Sequence, residues 1–265
     1  MRCFQVNVRE KPTLHGFIPT LQLYLLEGGS RARPIVIIAP GGGYTKVCME
    51  SDGDRIASQY NAAGFHAAVL NYSVSPHVFP EPQKDMLSAI RLLREHSQEW
   101  KIMENGIALC GFSAGGHLCA SVSTLWHRLG DELCRPNAAI LCFGILTTKL
   151  NHCKMFLTGH VGSDNEEKLN LVSCDEQVDA HTPPAFLYAT VEDKLANVEN
   201  VLYYGEALTK YGIPFEIHVF PKGGHGASWC DDTIWAKPVR GRDYNYIRMS
   251  VEWLRELFGF IQEED

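Results

Sequence analysis

A serine hydroxyl is a useful nucleophile near neutral pH only when a base takes its proton and a third group orients that base. It also needs N–H donors to receive the charge that develops on the attacked oxygen. The chain offers a candidate for each role. Ser113 lies in Gly111-Phe112-Ser113-Ala114-Gly115, a Gly-x-Ser-x-Gly pattern. An apolar run, Ile107-Ala108-Leu109-Cys110, precedes it, and a stretch rich in Ala and Leu follows from Ala114 to Leu129. Strand, tight turn and helix in that order are what a nucleophile elbow requires. Such a turn strains the backbone at the nucleophile, and glycine at 111 and 115 removes side chains that would clash. Ser113 is then held at a helix N-terminus, where unpaired N–H groups favour a developing negative charge. The plain structural alternative is a glycine-rich strand-to-helix turn with an exposed serine.

His225 is the candidate base. It stands in Pro221-Lys222-Gly223-Gly224-His225-Gly226, where glycines on both sides let a loop turn the imidazole toward the sheet edge. Asp193 is the candidate orienter, because it follows the Ala185–Val191 run and completes the order Ser…Asp…His. The neighbouring Glu192 should point away if Asp193 faces the site. A helix N-cap is the ordinary use of such an aspartate, and a lone histidine is more often structural in a chain with eleven of them. His117, on the elbow helix, reads as a packing residue near the site. The oxyanion donors are assigned to the N–H of Ala114 and to Gly42 and Gly43 of Pro40-Gly41-Gly42-Gly43-Tyr44. That glycine run lacks the Gly-Lys-Ser/Thr ending of a phosphate loop. His152, Cys153, His160, Cys174 and His181 match no compact zinc spacing, so neither a metal nor a cofactor is expected. Tyr44, Tyr72, Trp229 and Trp235 could shape a sugar or aryl pocket, with core or loop packing as the alternative for each.

These groups need a scaffold that brings loops together at the carboxyl ends of strands. Cys3–Val8 and Leu21–Leu26 suggest an antiparallel strand pair at one sheet edge. Continuous apolar runs at 34–39, 65–71, 107–110, 139–143, 185–191 and 215–220 suit buried strands. Helical patterns lie between them, at 54–63, 85–96 and 114–129, then around Val201, Tyr204 and Leu208, and finally from Ile247 to Phe258. The alternation implies an α/β class: a doubly wound, mostly parallel sheet flanked by helices. We expect one domain over 1–265. Residues 145–182 break the rhythm and are expected to form an insertion over the site, a small cap.

The composition excludes several classes. With 265 residues, 45% hydrophobic and 21% charged, the chain is ordinary globular protein with one substantial core. A net charge of −7 and the absence of a basic stripe argue against nucleic acid or an anionic membrane surface as partner. Nine cysteines are scattered without a Cys-x-x-Cys pair, and Cys110, Cys119 and Cys142 read as core thiols. Met1–Asn7 carries no hydrophobic leader. Together these features point to a cytoplasmic protein with reduced cysteines. The oligomeric state is left open, a homodimer included.

The Gly111–Gly115 pattern with Asp193 and His225 resembles the α/β-hydrolase superfamily. Five stretches resemble more narrowly its acetyl-xylan-esterase-like carbohydrate esterases, often labelled dienelactone-hydrolase-like or endoxylanase-like. They are Pro40–Tyr44, Leu70–Val74, Gly111–Leu118, His181–Leu187 and His218–Gly226. The resemblance runs from about residue 34 to the C-terminus. It implies Ser113 as nucleophile, Asp193 as acid and His225 as base, with Gly42, Gly43 and Ala114 around the oxyanion and no cofactor. The chain departs from hormone-sensitive-lipase relatives in having Pro40 where they carry histidine before the glycines, and from true dienelactone hydrolases in having serine where they use cysteine. The stretch Trp229–Arg242 is unfamiliar within the family. The implied activity is removal of acetyl groups from acetylated xylo-oligosaccharides or related sugars through an acetyl-enzyme on Ser113, so the partner expected is a small-molecule or oligosaccharide ester. A peptidase, an aryl or short-chain carboxylesterase, and a catalytically inactive hydrolase fold acting as a binding module are the alternatives.

Overall fold

Successive side chains of a strand point to opposite faces, so a strand that is apolar at every position feeds two cores. Arg33–Ala39 does this, being buried from Pro34 onward. Ile35 and Ile37 pack into one apolar cluster, and Val36 and Ile38 into another. The computed structural model describes residues 1–226 and 245–260. Its strands are β1 (Arg2–Asn7), β2 (Thr20–Leu25), β3 (Arg33–Ala39), β4 (His66–Asn71), β5 (Ile102–Phe112), β6 (Ala138–Cys142), β7 (Ala185–Thr190) and β8 (Phe215–Phe220). Its helices are α1 (Met49–Asp52), α2 (Asp54–Ala62), α3 (Glu81–Glu95), α4 (Ala114–Leu129), α5 (Asn151–Val161), α6 (Glu166–Val172), α7 (Cys174–Gln177), α8 (Glu199–Lys210) and α9 (Tyr246–Phe258).

The strands form one eight-stranded sheet in the order β1-β2-β4-β3-β5-β6-β7-β8. β1 and β2 are antiparallel to their neighbours, and all pairings from β4 through β8 are parallel. Helices α3, α4 and α8 cover the face that holds Ile37, Leu109 and Leu187. Helices α2 and α9 cover the face that holds Ile38, Cys110 and Phe186. This is the doubly wound α/β arrangement that the alternation of elements implies, with the antiparallel pair at the edge as expected. Cys110, Cys119 and Cys142 are buried free thiols.

Three elements differ from the sequence expectation. The elbow strand runs from Ile102, not Ile107, because Glu104 and Asn105 lie in an exposed stretch that hides its start. Its register against β3 shifts between Arg33 and Ile35. Helix α3 begins at Glu81, not Asp85, since Pro82 falls in the first turn, where no intrahelical N–H bond is lost. Residues 145–182 contain three helices where few periodic signals were legible. Helix α5 buries Cys153, Leu157, His160 and Val161, which is helical spacing written half in Cys and His. Helix α6 has only seven residues, too short for a period to emerge.

Gly115 generates a stability prediction. A Cβ there would lie 2.0 Å from the Ala39 carbonyl oxygen, and that neighbour is backbone. Gly115→Ala is therefore expected to destabilise the fold by about 2–4 kcal/mol, lowering Tm by roughly 5–15 °C. Gly159→Ala, inside α5 with nothing within 4 Å of the added methyl, should raise Tm slightly or leave it unchanged. Thermal denaturation followed by circular dichroism checks both; equal Tm values for the two variants would contradict the close approach at Gly115.

Candidate active site

Ser113 links β5 to α4 with φ 54° and ψ −116°, a left-handed conformation for a residue with a side chain. The flanking glycines are needed for contact reasons. A Cβ on Gly111 would sit 2.2 Å from the Gly115 carbonyl oxygen. The Ser113 N–H donates to the Cys142 carbonyl at 3.1 Å, which ties the turn to the end of β6. Among the described residues four non-glycine residues have positive φ, and Tyr44, Ser113 and Phe143 are three of them. Strain of this kind, about 1–3 kcal/mol per residue, persists where the surroundings enforce it.

His225 Nε2 lies 2.8 Å from Ser113 Oγ. Its Nδ1 lies 2.8 Å from Asp193 Oδ2. With the Nδ1 proton donated to the carboxylate, Nε2 is left as the acceptor for the serine hydroxyl. Asp193 is 1% exposed. Its Oδ1 accepts the N–H groups of Leu195 and Ala196 at 2.8 and 2.9 Å. The aspartate thus closes its own turn, as the structural alternative held, and also holds the histidine. Phe143 packs edge-on to the imidazole at 5.3 Å between centroids.

The loop carrying His225 is pinned at Gly223. Thr190 Oγ1 donates to its carbonyl at 2.5 Å. Its N–H donates to Glu192 Oε2 at 3.1 Å, and Lys222 Nζ donates to Glu192 Oε1 at 2.6 Å. Glu192, an exposed side chain, thus takes part in holding the histidine loop, a role that the sequence did not signal.

The glycine run follows β3 directly. Gly42 has φ 133° and Gly43 φ 64°. Among the described residues neither their N–H groups nor that of Ala114, the first residue of α4, has a hydrogen-bond acceptor. The Gly41 N–H is occupied, donating to Asp52 Oδ2 at 3.0 Å. Tyr72 is buried and donates its hydroxyl to the Pro40 carbonyl at 2.6 Å, so it packs beneath the loop and does not line a pocket. Tyr44 is buried as well. Trp229 and Trp235, and with them the stretch Trp229–Arg242, lie outside the described residues.

Residues 145–182 pack against this loop and against the elbow helix. His160 of α5 stacks on Tyr44 with centroids 3.7 Å apart. Phe156 of α5 comes within 3.9 Å of the position a Cβ would take on Gly43. His117 donates from Nε2 to the Val172 carbonyl at 2.9 Å, leaving Nδ1 to accept the Tyr44 hydroxyl at 2.7 Å. His117 is thus a buried packing residue beside the site. His152 and His181 are exposed while Cys153, His160 and Cys174 are buried. Among the described residues no group of three or more His, Cys, Asp or Glu side chains is arranged to hold a metal ion. No helix among them is long and apolar enough to cross a membrane.

A parallel-centred sheet with a serine on a strained strand-to-helix turn, facing a histidine and a buried aspartate, defines an α/β hydrolase. A family model described as BD-FAE matches residues 21–139. Endo-1,4-beta-xylanase B of Butyrivibrio fibrisolvens is 30% identical over 245 residues, 88% of this chain and 38% of that protein. Acetylxylan esterase of Xylanibacter ruminicola is 29% identical over 198 residues, 72% of this chain and 40% of that protein. The chain spans about two fifths of the length of these curated relatives. The crystal structure of an acetyl ester-xyloside bifunctional hydrolase from Caldicellulosiruptor lactoaceticus matches with a TM-score of 0.83 at 31% identity, over 98% of this chain and 97% of that one. The chain belongs to the acetyl-xylan-esterase-like branch of the α/β hydrolases.

The buried histidines make stability depend on pH. Burial pushes the His117 imidazole down to about 4, and it pushes His66 on β4 down to about 4 as well. As pH falls below the ordinary histidine value of about 6.5, the unfolded chain takes up protons that the folded chain refuses. Stability present above that value is therefore lost progressively toward pH 4, by about 1.4 kcal/mol per pH unit for each group. The urea midpoint should drop between pH 7 and pH 5 and drop less in His117→Gln. A midpoint that stays level over that interval would show that these imidazoles accept protons in the folded state.

Proposed function

We propose that the chain is a serine carboxylic-ester hydrolase that removes acetyl groups from acetylated xylo-oligosaccharides or related sugars. One observation carries the mechanism: the hydrogen-bonded line from Asp193 Oδ2 through His225 to Ser113 Oγ, both steps 2.8 Å, ending on the strained elbow. Ser113 Oγ attacks the ester carbonyl carbon while His225 Nε2 takes its proton. The oxyanion is received by the N–H groups of Ala114 and of Gly42 and Gly43, donors of a kind worth about 3–4 kcal/mol each in the transition state. The C–O bond to the sugar breaks, and the alcohol leaves with the proton from His225. Water then gives its proton to the same nitrogen and attacks the acetyl-enzyme, releasing acetate and restoring the serine. Asp193 orients the imidazole and stabilises its charged form throughout.

The substrate class is supported by the names of the relatives, an acetylxylan esterase, a xylanase and an acetyl ester-xyloside hydrolase. It is supported also by Pro40 in place of the lipase-type histidine. Residues 145–182 serve in this reading as a small cap, and Phe156 brings it against Gly43. We place the reaction in the cytoplasm, on short acetylated sugars taken up by the cell.

Ser113→Ala should fold normally and lose turnover by about a thousandfold or more, as expected where the three residues act as a unit. A folded variant that keeps a tenth of wild-type turnover would refute the nucleophile. A short acyl slot predicts that p-nitrophenyl acetate exceeds the butyrate and octanoate esters in kcat/KM, with about 1–3 kcal/mol of discrimination per methylene at the fitted limit. Octanoate as best substrate would replace the deacetylase reading with a lipase-like one. Acetate release from acetylated xylo-oligosaccharides, set against turnover of aminoacyl amides, separates the sugar esterase from a peptidase.

A further inference from the structure

Asp52 has no part in the triad, yet its carboxylate lies at the site. It ends the short helix α1, and its side chain is only partly exposed. Its Oδ2 accepts the Gly41 N–H at 3.0 Å. A Cβ built on Gly41 would meet Asp52 Oδ2 at 3.1 Å, the Phe112 carbonyl oxygen at 3.2 Å and Ser113 Cβ at 3.4 Å. The first glycine of the loop therefore lies against both the carboxylate and the elbow. Other bonds close the same loop on itself. The Gly41 carbonyl accepts the Cys48 N–H at 3.0 Å, and the Asp52 N–H donates to the Cys48 carbonyl at 3.0 Å. The Gly42 carbonyl accepts the N–H groups of Thr45 and Lys46 at 3.1 and 3.2 Å.

A fixed negative charge beside a developing oxyanion is unfavourable electrostatically. Its presence calls for a compensating role, and the geometry supplies one. The Asp52 bond holds the Pro40–Gly41 peptide plane. The Cys48 bond to the Gly41 carbonyl and the Thr45 and Lys46 bonds to the Gly42 carbonyl hold the next two planes, which carry the Gly42 and Gly43 N–H groups. Asp52 thus secures the start of the loop on which those donors are built. We propose that Asp52 is the positioning residue of the oxyanion loop, its carboxylate anchoring Gly41 so that Gly42 and Gly43 present their N–H groups to the substrate carbonyl. Asp52 then acts on turnover and not on substrate affinity, because the donors matter most once charge has developed. A displacement of about 1 Å in such a group lowers rates by about a hundredfold. Burial raises the Asp52 carboxyl above its ordinary range, opposed in part by the Gly41 N–H bond and by His225. That agrees with a carboxylate seated inside the site wall.

The inference rests on the ester-hydrolase reading, and the experiment has one arm that does not. With p-nitrophenyl acetate, Asp52→Ala should lose kcat about thirtyfold or more while KM changes less than threefold. Asp52→Asn keeps an oxygen acceptor of the same shape and should recover kcat to at least a third of wild type. Hydrogen exchange at the Gly41 amide, the one of the three loop amides that Asp52 holds, followed by mass spectrometry of peptides that span it, should quicken about tenfold in Asp52→Ala and stay near wild type in Asp52→Asn. The exchange arm reads the anchor even if the wild-type protein hydrolyses no ester, a result that would sink the functional reading alone. The inference is overturned if folded Asp52→Ala keeps more than half of wild-type kcat, or if its loop exchanges at the wild-type rate. It is overturned equally if Asp52→Asn loses as much kcat as Asp52→Ala; Asp52→Asn, differing by one atom, decides the matter should Asp52→Ala fail to fold.

Discussion

Everything at this site depends on one close approach, that of the elbow turn to the end of β3. Gly115 lies so near the Ala39 carbonyl that no side chain fits between them. That contact sets the start of α4 against the glycine loop leaving β3. The N–H of Ala114 is thereby brought to the same side as the loop that carries those of Gly42 and Gly43. Ser113, between β5 and this helix, has a left-handed backbone. Its strain is held in place by parallel pairing on both sides of β5, with β3 and with β6.

Around that contact the remaining groups are held by bonds that do not touch the serine. Asp193 is fixed through the N–H groups of Leu195 and Ala196. The histidine loop is fixed through Thr190 and Glu192 at Gly223. Helix α5 is fastened by the Tyr44, His117 and His160 cluster, in which a loop residue, an elbow-helix residue and an α5 residue share hydrogen bonds and ring contacts. His117 and His160 are both kept neutral by burial, His160 well below the ordinary histidine value.

The sheet and the line of Ser113, Asp193 and His225 were legible because short-range rules suffice for them. Fully apolar runs mark central strands, and Gly-x-Ser-x-Gly between strand and helix marks the turn. Asp193 could be chosen from its place after β7, and Glu192 dismissed from the alternation of side chains about the chain. The features that stayed hidden depend on contacts between distant parts of the chain. Nothing near Asp52 in sequence announces that it meets Gly41, and nothing near Glu192 announces Gly223. Helix α5 was obscured because its buried face uses Cys153 and His160, which register as polar or ambiguous until Tyr44 is seen to cover His160. Tyr72 was weighed as a pocket residue, and its burial under Pro40 shows it to be part of the loop's support.

In the function proposed, Ser113 is the side chain that the surrounding geometry activates. Treatment with a slow organophosphonate ester, followed by intact-mass measurement and peptide mapping, tests this most directly, since the reagent reports nucleophilicity without requiring the natural substrate. A single covalent adduct per chain is expected, located on Ser113 and absent when His225 is replaced. An unmodified protein, or an adduct on another residue while Ser113 stays free, would contradict it.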